Sequence, residues 1–229
     1  MNNAGRGILL QWEMADLESQ KRAAAAKAAE LIESGVSLGV GTGSTADYFI
    51  DLLPPLRDKI TVIRASSERT ARRLAAAGFA CNDDISELDL YVDGADEIDD
   101  NLQMLKGGGG AHAREKVLAG CARRFVCVVD SSKLVSRLGK FPLAVEVLPC
   151  ARSFAARKLA AMGGSPQWRE GFITDNGNWI LDVRGLDLLD AATMEMEINA
   201  IPGVVDNGIF SRRRADAVIV GDDSGARMT

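Results

Sequence analysis

Short runs dense in valine, isoleucine and leucine recur along the chain at 36–40, 60–63, 88–92 and 124–129, each bounded by glycine, proline or a polar cluster. Runs of that length predict strands buried on both faces. Between them the apolar positions take the three-and-four spacing of amphipathic helices. One helix is predicted over 16–33, with Asp16 as its cap, a Glu18–Arg22 pair one turn apart and Gly35 as its stop. A second runs from the turn at 39–45 to Leu53, where Pro54-Pro55 closes it, and others cover 68–77 and 113–121. Strands alternating with helices predict a parallel sheet with right-handed crossovers. Ligands bind beyond the carboxyl ends of such strands, and segments 39–45, 64–70, 93–99 and 130–133 all fall there.

From about Gly139 the pattern changes. A strand over 144–148, a helix over 152–162 and a hairpin over 172–183 turning at Asn176-Gly177 precede a helix over 191–200 and a strand near 208–210. That order is a split βαβ, ferredoxin-like unit. The apolar run 217–220 then returns as a strand to the first sheet. The fold class is therefore α/β, a parallel-sheet domain (1–138 with 211–229) carrying a second, smaller ferredoxin-like α+β domain (139–210). Met14 directly precedes the first clean helix start, so residues 1–13 read as an upstream extension, and they make a poor secretory signal.

Composition narrows the functional classes. With 229 residues the chain can bury a full core, and a net charge of −5 argues against a nucleic-acid-coating surface. No apolar run approaches bilayer length. Cys81, Cys121, Cys127 and Cys150 have no C-x-x-C pairing and no histidines at zinc spacing, so they read as buried thiols of a reducing cytosol.

The charged motifs carry the chemistry. Gly39-Val-Gly-Thr-Gly-Ser-Thr45 approaches a dinucleotide fingerprint but ends on Ser44, and Arg64 stands where such a site wants an acid. An arginine there could serve the 2′-phosphate of NADP. The same turn suits any anion through N–H groups and hydroxyls at a helix start. Asp93, Asp96 and Asp99 sit three apart, which is neither an EF-hand spacing nor supported by histidines, so no metal is expected. The sole histidine, His112, reads as a surface residue at a helix start. Lys106 before four glycines marks a close backbone approach, and Glu115 on the following helix is a base candidate when taken with Lys106 and Asp93 on one rim. Carboxylates that move protons beside a lysine that holds a negative oxygen fit proton transfer on a small phosphorylated molecule. A sugar-phosphate sensor would keep the pocket without needing Glu115 and Lys106 together.

These stretches resemble the A-type ribose-5-phosphate isomerases: 39–46, 91–98, 106–111, 114–116, 139–143, 174–178 and 200–205 match in order and spacing. The resemblance implies a Rossmann-like domain with a ferredoxin-like one, a homodimer or homotetramer in the cytoplasm, and a sugar-phosphate substrate handled without cofactor, metal, nucleic acid or membrane. It implies interconversion of D-ribose 5-phosphate and D-ribulose 5-phosphate through an enediolate, within the pentose phosphate pathway. By the same resemblance Glu115 is the base, and Lys106 stabilises the oxyanion with the backbone of Gly107, Gly108 and Gly109. Asp93 and Asp96 bind hydroxyls beside Gly94 and Ala95, and Asp93 assists ring opening. Thr42, Gly43, Ser44 and Thr45 line the pocket, and Lys133 and Lys21 meet the phosphate. The chain departs from the family at Arg64-Ala-Ser66, and neither the N-terminal extension nor the tail after Gly221 matches a stretch assigned to the family.

Overall fold

The computed structural model describes residues 3–81 and 87–229, with side chains from residue 16 onward in the first helix. That helix, α1, spans Asn3–Ala29. Asp16 is therefore interior and not a cap, because alanine-rich sequence and good helix formers upstream let the helix continue through it. The reading of 1–13 as an extension falls on side chains outside the described residues. α1 also stops earlier than its pattern suggests: Leu31 and Ile32 donate to Ala28 and Ala29 at 3.0 and 3.2 Å, tightening the last turn well before Gly35.

The chain continues through β1 (Val36–Val40), α2 (Ser44–Asp51), a 3-10 turn after Leu53, β2 (Ile60–Ala65), α3 (Glu68–Ala76) and β3 (Leu88–Asp93). Two-residue strands β4 (Glu97–Ile98) and β5 (Met104–Leu105) lead into α4 (His112–Cys121) and β6 (Ala122–Asp130). Next come β7 (Leu143–Val147), α5 (Arg152–Ala161), β8 (Ser165–Trp168), β9 (Trp179–Arg184), α6 (Ala191–Asn199), β10 (Val204–Asn207) and β11 (Ile209–Phe210). β12 (Ala217–Asp222) and β13 (Gly225–Met228) end the chain.

The six-stranded sheet has the order β13-β12-β6-β3-β1-β2, parallel throughout except for the β12–β13 pair. Period-two alternation divides β6 between two cores. Val126 and Val128 pack with α1 and α2 residues such as Ala24 and Phe49, whereas Phe125, Cys127 and Val129 pack with Leu118 of α4 and with Phe210. Both faces are covered, which is why these strands read as continuous apolar runs. The run 217–220 does return to this sheet beside β6. The tail after Gly221 becomes the antiparallel edge strand β13.

The four-stranded sheet, order β10-β7-β9-β8 and antiparallel throughout, is the ferredoxin-like unit with its own core around Leu143, Val145, Leu159, Leu181 and Ile198. Its hairpin is not the one expected over 172–183. The first arm is β8, pairing Ser165–Trp168 with Arg184–Leu181, and Asn176-Gly177 turns within the long connection that follows. Pro166 hides this arm in the sequence, yet β8 is an edge strand, where a missing N–H leaves no ladder bond unmade. The strand near 208–210 is likewise two strands parted by Gly208, whose N–H donates to Ala144 and whose carbonyl accepts from Lys106 N–H. β11, β5 and β4 form a small third sheet joining the two larger ones.

The thiol expectation needs correction. Cys127 is buried, but Cys150 is exposed and Cys81 and Cys121 are intermediate. No helix among the described residues is long and apolar enough to cross a membrane.

Gly221 marks where α1 crosses β12. A Cβ there would lie 1.9 Å from the Gln20 carbonyl oxygen, a main-chain atom that cannot step aside. Gly221→Ala should lower Tm by roughly 3–10 °C, the usual cost of overpacking in a chain of this size. A calorimetric scan matching the parent protein would refute this packing.

Candidate active site

β3 ends on Asp93, whose carboxylate is fully buried beneath the sheet's carboxyl edge. Four donors converge on it. Oδ1 accepts from the N–H groups of Thr42 and Gly94 at 3.0 and 2.7 Å, while Oδ2 accepts from the Tyr91 hydroxyl and from Lys106 Nζ, the latter at 2.8 Å. Gly41 is needed for this approach, since a Cβ there would sit 1.8 Å from Asp93 Oδ1. Lys106 leaves the end of β5 and is itself buried; its ammonium also donates to the Gly94 carbonyl and lies 3.2 Å from Glu115 Oε2. Asp93, Lys106 and Glu115 thus form one contiguous acid–cation–acid cluster.

The protonation of this cluster follows from competing magnitudes. Burial is the largest influence on Glu115 and raises its pKa; the negative Asp93 raises it further. Lys106 pulls the other way without cancelling them, so the carboxyl stands at about 8 instead of 4.5. For Lys106 burial alone would weaken the charge, but Asp93 and Glu115 outweigh it and push its pKa up. Cys127 beneath is held as a neutral thiol, its pKa raised by burial to about 12.

A cavity of about 210 Å³ opens above the cluster. Glu115 and Lys106 form its floor, Thr42, Gly43, Ser44 and Thr45 one wall, and Gly94, Ala95, Asp96, Gly107, Gly108 and Gly109 the other. Asp96 is fastened to the glycine bend by an N–H from Gly108 at 2.8 Å. Lys21 of α1 and Lys133, in the short 3-10 turn after β6, also line it. Every residue of the expected set except Asp93 lines this cavity; Asp93 stands behind Lys106. Lys21 is paired with Glu18 at 2.7 Å. Two cations and the N-terminus of α2, where Gly43 takes φ 135°, make the cavity suited to an anion.

Other residues complete the site although their roles are hidden in the sequence. Thr42 Oγ1 meets Ser66 at 3.1 Å, Thr70 at 2.8 Å and also Ser67, so the loop after β2 braces the glycine turn. Gln20 Oε1 accepts from Ser131 N–H at 3.1 Å, tying α1 to the turn that carries Lys133. Arg64 departs from its suggested use. It is buried within β2 and its Nη1 donates to the Ile63 carbonyl, so it presents no cation to a cofactor phosphate at the glycine turn. His112 is not a surface residue: it is fully buried where α4 meets the ferredoxin-like unit, its Nε2 3.3 Å from the Asp206 carbonyl oxygen, and burial lowers its pKa to about 4. Among the described residues no group of three or more His, Cys, Asp or Glu side chains could hold a metal ion.

A parallel α/β sheet with a tuned carboxyl, a fixed ammonium and an anion-suited turn at its carboxyl edge defines an enzyme of proton transfer on small anionic molecules. The comparisons with known proteins make this particular. Residues 62–225 match the family model described as ribose 5-phosphate isomerase A (phosphoriboisomerase A). Ribose-5-phosphate isomerase A of Bordetella bronchiseptica is 54% identical over 213 residues, covering 90% of this chain and 94% of that protein. The crystal structure of ribose 5 phosphate isomerase A from Neisseria gonorrhoeae superposes with a TM-score of 0.90 at 47% identity, covering 93% of this chain and 96% of that one. A Methanocaldococcus jannaschii ribose 5-phosphate isomerase A structure gives 0.87 at 39%, covering 93% and 98%. The chain belongs to the ribose 5-phosphate isomerase A family.

The raised pKa of Glu115 has a consequence for stability. A carboxyl whose folded-state pKa exceeds its unfolded value adds stability that is complete below about pH 4.5 and is lost as pH rises through about 8. Glu115→Gln, which cannot ionise, should therefore gain Tm relative to the parent between those pH values and hold that gain above them. Melting curves with a constant difference across pH would show that Glu115 is not tuned by burial.

Proposed function

We propose that this protein interconverts D-ribose 5-phosphate and D-ribulose 5-phosphate, with Glu115 moving the proton and Lys106 holding the charge that develops. The observation that carries this reading is the 3.2 Å contact between Lys106 Nζ and Glu115 Oε2 at the floor of the cavity. In the open-chain aldose, the Glu115 carboxylate takes the proton from C2 while the C1 carbonyl oxygen becomes an oxyanion. Lys106 and the N–H groups of Gly107 and Gly109 face that oxygen and favour the enediolate, while the Gly108 N–H holds Asp96. Glu115 returns the proton to C1 on the same face, the O2 proton passes to O1, and the C2 carbonyl of the ketose forms. A carboxyl near neutrality can both take and give a proton at working pH. Asp96 meets the sugar hydroxyls and Lys21 and Lys133 bind the phosphate, whereas Asp93, expected to touch the sugar and assist ring opening, lies behind Lys106 and serves to fix that ammonium. Thr42, Ser44 and Thr45 line the chain between the two ends.

The finer organisation belongs to the same proposal. Residues 1–138 with 211–229 form the Rossmann-like domain and 139–210 the ferredoxin-like domain, supported by the separate cores on the two sheets. The enzyme works as a homodimer or homotetramer in the cytoplasm, where its four cysteines remain reduced.

Three measurements test the assignment. In deuterated water the parent protein should place label on substrate carbon, and Glu115→Gln should lower exchange and turnover together by roughly 10²–10⁴-fold while substrate still binds. The parent kcat/KM should fall as pH drops through about 8, because only the ionised Glu115 can abstract a proton. A Gln variant exchanging at the parent rate would move the base to Asp96, the other carboxylate that lines the cavity. Lys133→Ala should raise KM more than it lowers kcat. An unchanged KM would place the phosphate elsewhere.

A further inference from the structure

The base candidate stands on a helix wedged between the two units, with Leu118 and Ala119 buried against the parallel sheet. α4 follows the glycine bend, in which Gly107 and Gly110 take φ values of 110° and 72°, and Ala111 at its N-cap supplies no side-chain cap. Leu118 and Ala119 seat one face of the helix on that sheet, and the ferredoxin-like unit holds the other. Lys116, the residue after Glu115, directs its ammonium at Asp206 Oδ1 (2.8 Å), the Asn207 carbonyl oxygen (2.7 Å) and Glu195 Oε1 (3.2 Å). Its three donors therefore have three acceptors, all from α6 and β10. One turn earlier on the same face, His112 Nε2 lies against the Asp206 carbonyl. The Lys116 side chain is 17% exposed, and those of Glu195 and Asp206 are 6% and 14%, so the contact is largely dry. It also adjoins the site, since the Phe210 ring centroid lies 5.0 Å from Lys116 Nζ and 5.5 Å from Lys106 Nζ.

We propose that Lys116 is a positioning residue: by fastening α4 to the ferredoxin-like unit it holds the Glu115 carboxylate against Lys106. The proposal rests on the reading of Glu115 as the base. It assigns the second unit a part in proton transfer, although that unit supplies none of the reacting groups. The groups that face Glu115 are Lys106, Asp93, Asp96 and Tyr91. A loosened α4 would admit water to this enclosure, and because burial is the largest influence on Glu115, its titration would move toward the ordinary carboxylate range.

The test compares Lys116→Met, Lys116→Arg and Asp206→Asn with the parent and with Glu115→Gln, each shown to be folded at the assay temperature. Lys116→Met should lower kcat about 10–100-fold, the scale of loss from a misplaced catalytic group, with KM within about three-fold. The rising limb of its kcat/KM profile should move to lower pH by about half a unit or more. Lys116→Arg, which keeps a charge for Asp206 and Glu195, should recover part of the rate. If Lys116→Met does not fold, Asp206→Asn carries the test, with a smaller loss and a limb displaced in the same direction. In the Glu115→Gln background, Lys116→Met should add less than about two-fold, because a group acting through Glu115 has nothing left to position. A folded variant with the parent limb, or losses that multiply in the double variant, would overturn the proposal. Glu115→Gln with the parent rate would instead overturn the base assignment and the positioning role together.

Discussion

Lys106 is the charge around which the molecule is arranged. An ammonium buried to 3% exposure is tolerated only if anions and carbonyls surround it, and here Asp93 at 2.8 Å, Glu115 at 3.2 Å and the Gly94 carbonyl do so. Each partner imposes a demand on the backbone. Asp93 must end a central strand, Gly41 must lack a side chain to let its carboxylate pass, and Glu115 must enter from a helix start close above the sheet. Two carboxylates share one cation, so one of them bears an uncompensated cost of burial. That cost falls on Glu115, because Asp93 already collects four hydrogen bonds. The raised proton affinity of Glu115 is a property of how the chain is folded.

The same constraint explains the division between static and adaptable parts. Asp93 and Tyr91 are fixed by the sheet, in register with Cys127 and Phe125 of β6. The oxyanion side is built instead from Gly107–Gly110, whose backbone geometry is held from outside. Gly108 is tied to Asp96, Arg169 Nη1 donates to the Gly107 and Gly108 carbonyl oxygens at 3.2 Å, and Phe172 fills the space where a side chain at Gly110 would be. A bend that could not stay ordered alone is clamped by the ferredoxin-like unit. This is how a loop with large conformational entropy can present N–H groups at a fixed place.

Much of this was legible in the sequence, for identifiable reasons. The strands of the parallel sheet stand out because both faces are covered, and the motifs at 39–45, 93–99 and 106–116 stand out because glycine and charge are costly in ordered structure unless they are used. Elements that depend on distant partners did not stand out. β4, β5 and β11 are two residues each, too short for any period, and exist because they pair with one another. β8 contains Pro166 and is a strand only because it lies at an edge. Asp16 has the chemistry of a cap, but the helix around it does not end there.

His112 and Lys116 reveal a subtler limit. On a helix start a histidine and a lysine look like solvated charges, and local chemistry offers no reason to think otherwise. Their burial is decided by Asp206, some 90 residues away, whose carbonyl and carboxylate face α4 only after β10 has paired with β7. The carboxylate–lysine chemistry of the site can therefore be read from a contiguous stretch of chain, whereas the precision of that chemistry depends on a sheet that contributes no reacting group. A fold of two units solves a physical problem in this way: the parallel sheet buries the charges, and the antiparallel sheet holds the helix that completes them.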